Sequence, residues 1–277
     1  MKRFTVVLPL LLMSFLTSYA QDLAILHFND THSHIDPQRS GEYSGLGGVI
    51  EQAAYIDSVR SAVGRRNVLL LHAGDFGQGT SYFTELHGNI EIDVLNAHKY
   101  DVVCLGNHEF DNGAAELARR LKNLKAEVVC ANYDFTGSPL EGLVKPYTVV
   151  RKAGKRIGVI GVLTDIKDAV EMSIAKDFTY LEPAGIVNAL AAELKDVKGC
   201  DMVICLSHLG TDAISDEQIS DVALAKATRN IDVIVGGHTH KVVTNRYVEN
   251  LDGDSVLLSQ MGKSGARIGK ILLKIAE

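Results

Sequence analysis

The sequence predicts an α/β fold whose strands run parallel over most of the chain and antiparallel at its end. Short runs rich in Val, Ile and Leu recur at 23–28, 68–72, 101–105, 128–131, 157–163, 202–207 and 231–235, bounded by Gly, Asn and Asp. They lack strict alternation, the pattern of strands covered on both faces. Segments with helical spacing lie between several of them, and such alternation builds right-handed crossovers and parallel sheets.

Taken in order, residues 1–20 read as a signal peptide. Lys2 and Arg3 give a positive start, 6–16 an apolar stretch, and Ser18, Tyr19 and Ala20 the small residues of a cleavage site before Gln21. The stretch is shorter than the roughly 18 apolar residues of a membrane span. No cysteine precedes Cys104, so the junction has no lipid-attachment site. A periplasmic or secreted protein is expected, without a membrane span after cleavage.

Helical faces follow the first strands. Val49, Ala53, Ile56, Val59 and Val63 mark one; Ala114, Leu117, Ala118, Leu121 and Leu124 another; Ile186, Leu190 and Leu194 a third. The last stretch reads as strands at 241–247, 255–260 and 268–275, joined by turns at 251–254 and 262–265. No repeat or low-complexity tract divides the mature chain, and with only 5 Pro no linker does either, so 21–277 is read as one domain.

The net charge of −6 and the absence of any Lys/Arg run beyond a pair exclude a nucleic-acid-binding surface. Small anionic substrates remain compatible, because bound metal ions reverse the field locally. Four cysteines are few for a disulfide scaffold. Cys104, Cys130 and Cys205 sit in apolar runs and Cys200 at a strand entrance, so free thiols are expected.

Five polar clusters stand at the carboxyl ends of apolar runs: Asn29-Asp30-Thr31-His32, Gly74-Asp75, Gly106-Asn107-His108-Glu109-Phe110-Asp111, Ser207-His208-Leu209-Gly210 and Gly236-Gly237-His238-Thr239-His240. Singly each has a bland reading. Asp75 could be a turn residue, Asn107 a helix cap and His208 a structural histidine. Jointly they converge, because the carboxyl ends of parallel strands share one rim where ligands bind. Asp30 and His32, two residues apart in extended chain, would point the same way. Carboxylate, imidazole and amide ligands without thiolate suit Mn, Zn, Fe, Co or Mg. Two divalent ions roughly 4 Å apart need an anion between them, and Asp75 is the natural bridge. Such a site stays cationic, acidifies a bridging water and attracts a phosphate ester.

The set D-x-H, G-D, G-N-H-E-F-D, S-H-L-G and G-H-T-H, in this order, resembles the catalytic domain of the 5'-nucleotidase and UDP-sugar hydrolase family within the calcineurin-like metallophosphoesterases. The opening H-F-N-D-T-H-S is similar to the nucleotidase branch rather than to the protein phosphatases. The resemblance implies a four-layer α/β/β/α sandwich of two mixed sheets and two divalent metal ions. It implies Asp30, His32, Asp75 and His240 around one ion, and Asp75, Asn107, His208 and His238 around the other. His108 would contact the phosphate in the transition state, oriented by Asp111, with in-line attack by a metal-activated water and no covalent intermediate.

His27 and His72 read as core, His87 and His98 as surface or helix-end residues. His34 is a weak candidate near the site, and Glu109 a cap or hydrogen-bond acceptor without a direct role. Gln260 loosely matches a position where the family often has Gln near the substrate pocket. Family members usually carry a C-terminal domain with a base-stacking aromatic pair and phosphate-gripping arginines. This sequence ends at Glu277 and has no Trp, with only Tyr43, Phe76, Tyr82, Phe83 and Phe110 near the clusters. The expectation is hydrolysis of phosphate monoesters, 5'-nucleotides first. The alternatives are a phosphodiesterase acting on cyclic nucleotides or nucleotide sugars, or the catalytic half of a nucleotidase with a separately encoded specificity domain. A metal-binding module without turnover is disfavoured by His108 and Asp111, since neither is needed to hold the ions.

Overall fold

The computed structural model describes residues 22–176, 178–213 and 218–274, and the expected signal peptide lies outside them. The first four strands are β1 (Asp22–Phe28), β2 (Val68–Ala73), β3 (Val102–Cys104) and β4 (Glu127–Val129). They pair in that order, all parallel, in one sheet. Next come β5 (Tyr133–Asp134), β6 (Tyr147–Lys152), β7 (Lys155–Leu163), β8 (Thr179–Tyr180) and β9 (Met202–His208). The last four are β10 (Val233–Gly236), β11 (Val242–Glu249), β12 (Ser255–Met261) and β13 (Gly269–Lys274). A second sheet has the order β11-β12-β10-β9-β7-β6, parallel through its centre and antiparallel at both edges. β13 returns to the first sheet, antiparallel to β1, and β5 pairs with β8.

Side-chain alternation along the strands explains why the runs look uniformly apolar. Leu23, Ile25, Leu69 and Leu71 face Ile204, Leu206, Val233 and Val235 in a layer between the sheets. Leu26, Phe28, Leu70 and Val103 point the other way, onto Ile56, Leu95 and Leu117. These come from helices α1 (Val49–Val63), α3 (Asn89–His98) and α4 (Gly113–Leu121), with α2 (Ser81–Leu86) before α3. The second sheet turns Ile160, Val203, Cys205 and Ile234 onto Val187, Ala191 and Leu224. These belong to α6 (Pro183–Ala192) and α7 (Asp221–Ala227), with the short α5 (Met172–Ala175) earlier in the chain. The central strands are therefore covered on both faces while the edge strands β11 and β13 stay largely open, and the expected four-layer α/β/β/α sandwich is the observed one.

Three local features differ from the sequence reading. The turn at 262–265 does not close a hairpin; it carries the chain from the second sheet back to the first. The face of α6 is one residue out of register. Val187 and Ala191 are buried rather than Ile186 and Leu190, while Leu194, just past the helix, is buried as expected. Gly158 leaves room for Leu194 there, since a Cβ on it would lie 2.7 Å from the leucine. Strands β5, β6 and β8 and helices α2, α3, α5 and α7 are absent from the sequence reading. Gly161 marks where the sheets touch through backbone: its carbonyl accepts from Ala131 at 2.8 Å, and a Cβ there would overlap the Val129 carbonyl. The four cysteines are free and buried, as expected.

Leu71 is fully buried in the inter-sheet layer, whereas Ile50 on α1 is 78% exposed. Leu71→Ala should cost about 2–5 kcal/mol of unfolding free energy in urea, and Ile50→Ala less than about 0.5 kcal/mol. Equal losses would contradict this layering.

Candidate metal centre

The five clusters leave the strands at one level. Phe28 lies opposite His72, Ala73 opposite Cys104, and Gly236 opposite Ser207. Sequence reasoning placed the clusters along the edge of parallel strands. The rim is in fact shared: β1, β2 and β3 of the first sheet bring Asp30, His32, Asp75, Asn107 and His108, while β9 and β10 of the second bring His208, His238 and His240. Face-to-face stacking of the sheets joins the two halves.

The extended-chain argument for Asp30 and His32 does not hold. Asp30, His32, Asp75, His238 and His240 have φ of 49°, 47°, 55°, 74° and 54°, all left-handed. A non-glycine residue held there costs about 1–3 kcal/mol and persists where the surroundings over-determine it. Those surroundings are main-chain bonds between neighbouring loops. Asp30 N donates to Gly74 O at 3.0 Å, His32 N to Asp75 O at 3.1 Å and Ser33 N to Phe76 O at 3.0 Å. Tight turns, rather than strand alternation, aim both side chains at one point.

Two adjoining groups result: Asp30 with His32 and His240, and Asp75 with His208 and His238, the ligand atoms within each lying within 4.8 Å of one another. His240 Nε2 is 3.3 Å from Asp30 Oδ1 and 3.0 Å from His32 Nε2. His208 Nε2 is 3.0 Å from Asp75 Oδ2 and 3.9 Å from Asp30 Oδ1, so it stands between the carboxylates. Although close to Asp75, this nitrogen has no aligned hydrogen-bond partner. It points, like the carboxylate oxygen, at a shared position. His208 Nδ1 donates to Ala73 O at 2.6 Å, which leaves Nε2 as the lone-pair nitrogen of the neutral ring.

Of the two readings of Asn107, the helix cap is not observed. It precedes a short helical turn, His108–Phe110, yet makes no side-chain cap there. Its Oδ1 is buried without a hydrogen-bond partner. A buried amide oxygen left free costs stability unless something positive takes it. The donor set of carboxylates, imidazoles and one amide oxygen fits divalent ions that favour nitrogen and oxygen.

Electrostatics follow from burial of like charges. Burial would raise the Asp75 carboxyl, but His208 beside it holds it well below the usual range. Burial lowers His208, and the two carboxylates more than reverse this, to about 10. His238 goes down to about 4, through burial and the neighbouring His208. The carboxylates around His208 therefore favour positive charge at that position.

Of the two places expected for Glu109, a cap or a hydrogen-bond acceptor, the structure shows the acceptor. Fully buried, it accepts from Asp75 N at 2.8 Å, Gly77 N at 2.9 Å and Gly106 N at 2.7 Å. One carboxylate thus fastens two ligand loops together. Burial and the Asp75 charge push it up to about 7. Gly106 must lack a side chain, because a Cβ there would overlap Asp75. Asn29, quoted in the first cluster but assigned nothing, donates to Asp30 Oδ2 at 2.6 Å and Gly262 O at 2.7 Å, and accepts from Met261 N at 2.8 Å.

His108 stands beside the groups, its ring 5.4 Å from that of His32. Its Nδ1 is 2.9 Å from Asp111 Oδ2, and this bond raises its pKa against the lowering effect of burial. Its backbone N donates to Asp75 Oδ1 at 2.9 Å. The remaining histidines are as expected or close to it. His27 bonds Ser259 across the sheets at 2.9 Å, and buried His72 bonds Thr31 at 3.1 Å. His87 is exposed, while His98 ends α3 but is buried, bonded to Val49 O at 3.0 Å. His34 bonds Thr31 O and belongs to neither group.

A four-layer sandwich that presents such ligands in two adjoining groups at the seam of its sheets is a hydrolase scaffold of the metal-dependent phosphoesterase class. The chain belongs to the calcineurin-like phosphoesterase family, whose sequence profile it matches over residues 23–242. It is 36% identical over 227 residues to a probable 5'-nucleotidase of Treponema pallidum, covering 79% of this chain and 37% of that protein. To the NAD 5'-nucleotidase of Haemophilus influenzae it is 33% identical over 240 residues, covering 84% of this chain and 38% of the other. The crystal structure of a 5'-nucleotidase precursor from Thermus thermophilus superposes with a TM-score of 0.79 at 33% identity, covering 91% of this chain and 51% of that one. The chain thus spans less than half the length of these two sequence relatives.

Two outcomes are expected. Cation uptake competes with protonation of His208, so titrating Mn2+ into weakly buffered chelator-treated protein at about pH 7 should release protons. The affinity should weaken as pH falls, and a pH-independent affinity would argue against these ligands. Glu109→Gln turns an amide NH2 toward backbone donors and should lower stability by about 1–3 kcal/mol in a urea titration; an unchanged midpoint would remove Glu109 from its role.

Proposed function

We propose that the chain hydrolyses phosphate monoesters, with 5'-nucleotides as the favoured class. The observation that carries this reading is the pair of adjoining ligand groups with His108 and Asp111 at their edge. Asp30, His32, Asp75 and His240 would hold one divalent ion, and Asp75, Asn107, His208 and His238 the other, with Mn, Zn, Co, Fe and Mg all suited to the donors. When bound, such ions supply Lewis acidity toward phosphoryl oxygens and acidify water for in-line attack at phosphorus.

The chain's own residues do the rest. Asp111 fixes the His108 tautomer by holding Nδ1, which leaves Nε2 to face the substrate. Its side chain is 30% exposed, enough to be reached by an ester at the rim. Because Asp111 raises the His108 pKa, the imidazolium persists closer to neutral pH and can donate to a phosphoryl or leaving-group oxygen. Glu109 and the strained loops hold the ligands in place beforehand, so little reorganisation is left to the reaction.

Residues 1–20 act in this reading as a signal peptide that sends the chain to the periplasm or beyond, and 21–277 as the catalytic domain. Since the sequence relatives are more than twice as long as the segment they share with this chain, we further propose that base selection rests with a separate specificity domain. A second reading, hydrolysis of a phosphodiester or nucleotide sugar, is favoured by the NAD 5'-nucleotidase among the relatives.

A metal-supplemented screen of nucleoside monophosphates, generic monoesters, cyclic nucleotides and nucleotide sugars tests these readings together. Turnover of monoesters that disappears with chelator is expected, and inertness toward every ester would end the proposal. His108→Ala should lower kcat by about 10²–10⁴. Asp111→Asn removes the anion that raises the His108 pKa, so the alkaline limb of the pH–rate profile should move to lower pH; a limb that stays in place would exclude His108 as the titrating acid.

A further inference from the structure

Gln260 lies at the end of β12, only 1% exposed, and its amide is turned inward rather than toward the rim. Its Oε1 accepts from Lys241 N at 2.7 Å and from Thr239 Oγ1 at 3.1 Å. Its Nε2 donates to Gly237 O at 2.7 Å and to Thr211 Oγ1 at 3.1 Å. A primary amide has two acceptor positions and two donor hydrogens, so this one is saturated. It has nothing left to offer a substrate, which removes the substrate-pocket role implied by the resemblance.

The four partners are not scattered. Gly237, Thr239 and Lys241 bracket the five-residue loop that carries His238 and His240, and Thr211 follows the loop after His208. Thr211 N also donates to Thr239 Oγ1 at 3.1 Å, so the two loops and the amide form one closed network. His238 and His240 both sit in left-handed backbone, which a loop abandons unless it is held. One of them belongs to the Asp75 group and the other to the Asp30 group. Whatever fixes this loop therefore fixes both groups at once.

We propose that Gln260 is the positioning residue that sets the spacing of His238 and His240 and, through Thr211, their placement relative to His208. The inference rests on the two-ion reading of the site. It differs from a merely stabilising role in a way that can be measured, because loosening this amide must change how ions are held and not only how well the chain folds.

The experiment is a Mn2+ titration of the full chain by calorimetry, with Co2+ absorption spectra recorded on the same proteins. It compares the unsubstituted chain, Gln260→Leu, Gln260→Glu and Leu194→Ala, the last a destabilised control in the distant helix layer. Gln260→Leu should weaken both binding events by about 10-fold or more and alter the Co2+ spectrum. Gln260→Glu keeps the acceptor bonds to Lys241 and Thr239 but loses donation to Gly237 and Thr211, so it should fall in between, and it decides the matter if the leucine variant does not fold. Leu194→Ala should lose stability and keep both affinities. If the unsubstituted chain binds two ions and the Gln260 variants bind them equally well, the clamp is wrong. If the unsubstituted chain binds none, the two-ion reading itself fails.

Discussion

Two carboxylates buried at the seam between the sheets impose the constraint from which the rest of the centre follows. Asp30 is fully buried and Asp75 nearly so, and His208 Nε2 lies within 4 Å of both. Like charges desolvated this close are unfavourable unless positive charge lies among them. The histidines around them, one of them strongly basic in the metal-free chain, answer that requirement. Divalent ions would meet the same requirement, and the two groups are compatible with holding them.

The cost of aiming these side chains is stored in the backbone and offset away from the ligands. Five residues of the two groups adopt left-handed φ. Glu109 and Gln260 each satisfy several backbone groups of those loops with one side chain, and Asn29 ties the Asp30 carboxylate to Met261 and Gly262. Their carboxyl or amide ends are buried and hydrogen-bonded, so they are well suited to holding. Arg120, buried and donating to the Glu109 carbonyl at 2.8 Å, extends that support into α4.

Much of this was legible in the order of residues because two periodicities were undisturbed. Apolar runs ending in Asp, Asn or His located both the strands and the rim, and the resemblance carried the layer arrangement that runs alone do not specify. What stayed hidden depends on the third dimension. No local pattern says that β9 and β10 lie in a different sheet from β1 to β3, that α6 uses Ala191 rather than Leu190, or that the chain crosses sheets at 262–265. Asp30 and His32 do lie together, but through a geometry the sequence does not show, since αL turns in non-glycine residues leave no mark in composition. Gln260 shows the converse. Its identity drew attention to the substrate pocket, while its hydrogen bonds serve the loop behind it.

The division of the ligands between two sheets has a further consequence. Asp30 and Asp75 hang from one slab, His208, His238 and His240 from the other, and the apolar layer of Leu23, Ile25, Leu69, Leu71, Ile204 and Leu206 is the spacer. Interior packing is nearly incompressible, so the thickness of that hydrocarbon layer acts as a calliper, within each group, on the distance between the carboxylates of one slab and the imidazoles of the other. Enlarging or shrinking a leucine far from solvent would then be felt as a change in that spacing at the rim, tying the identity of the oiliest residues to the geometry of the most polar ones.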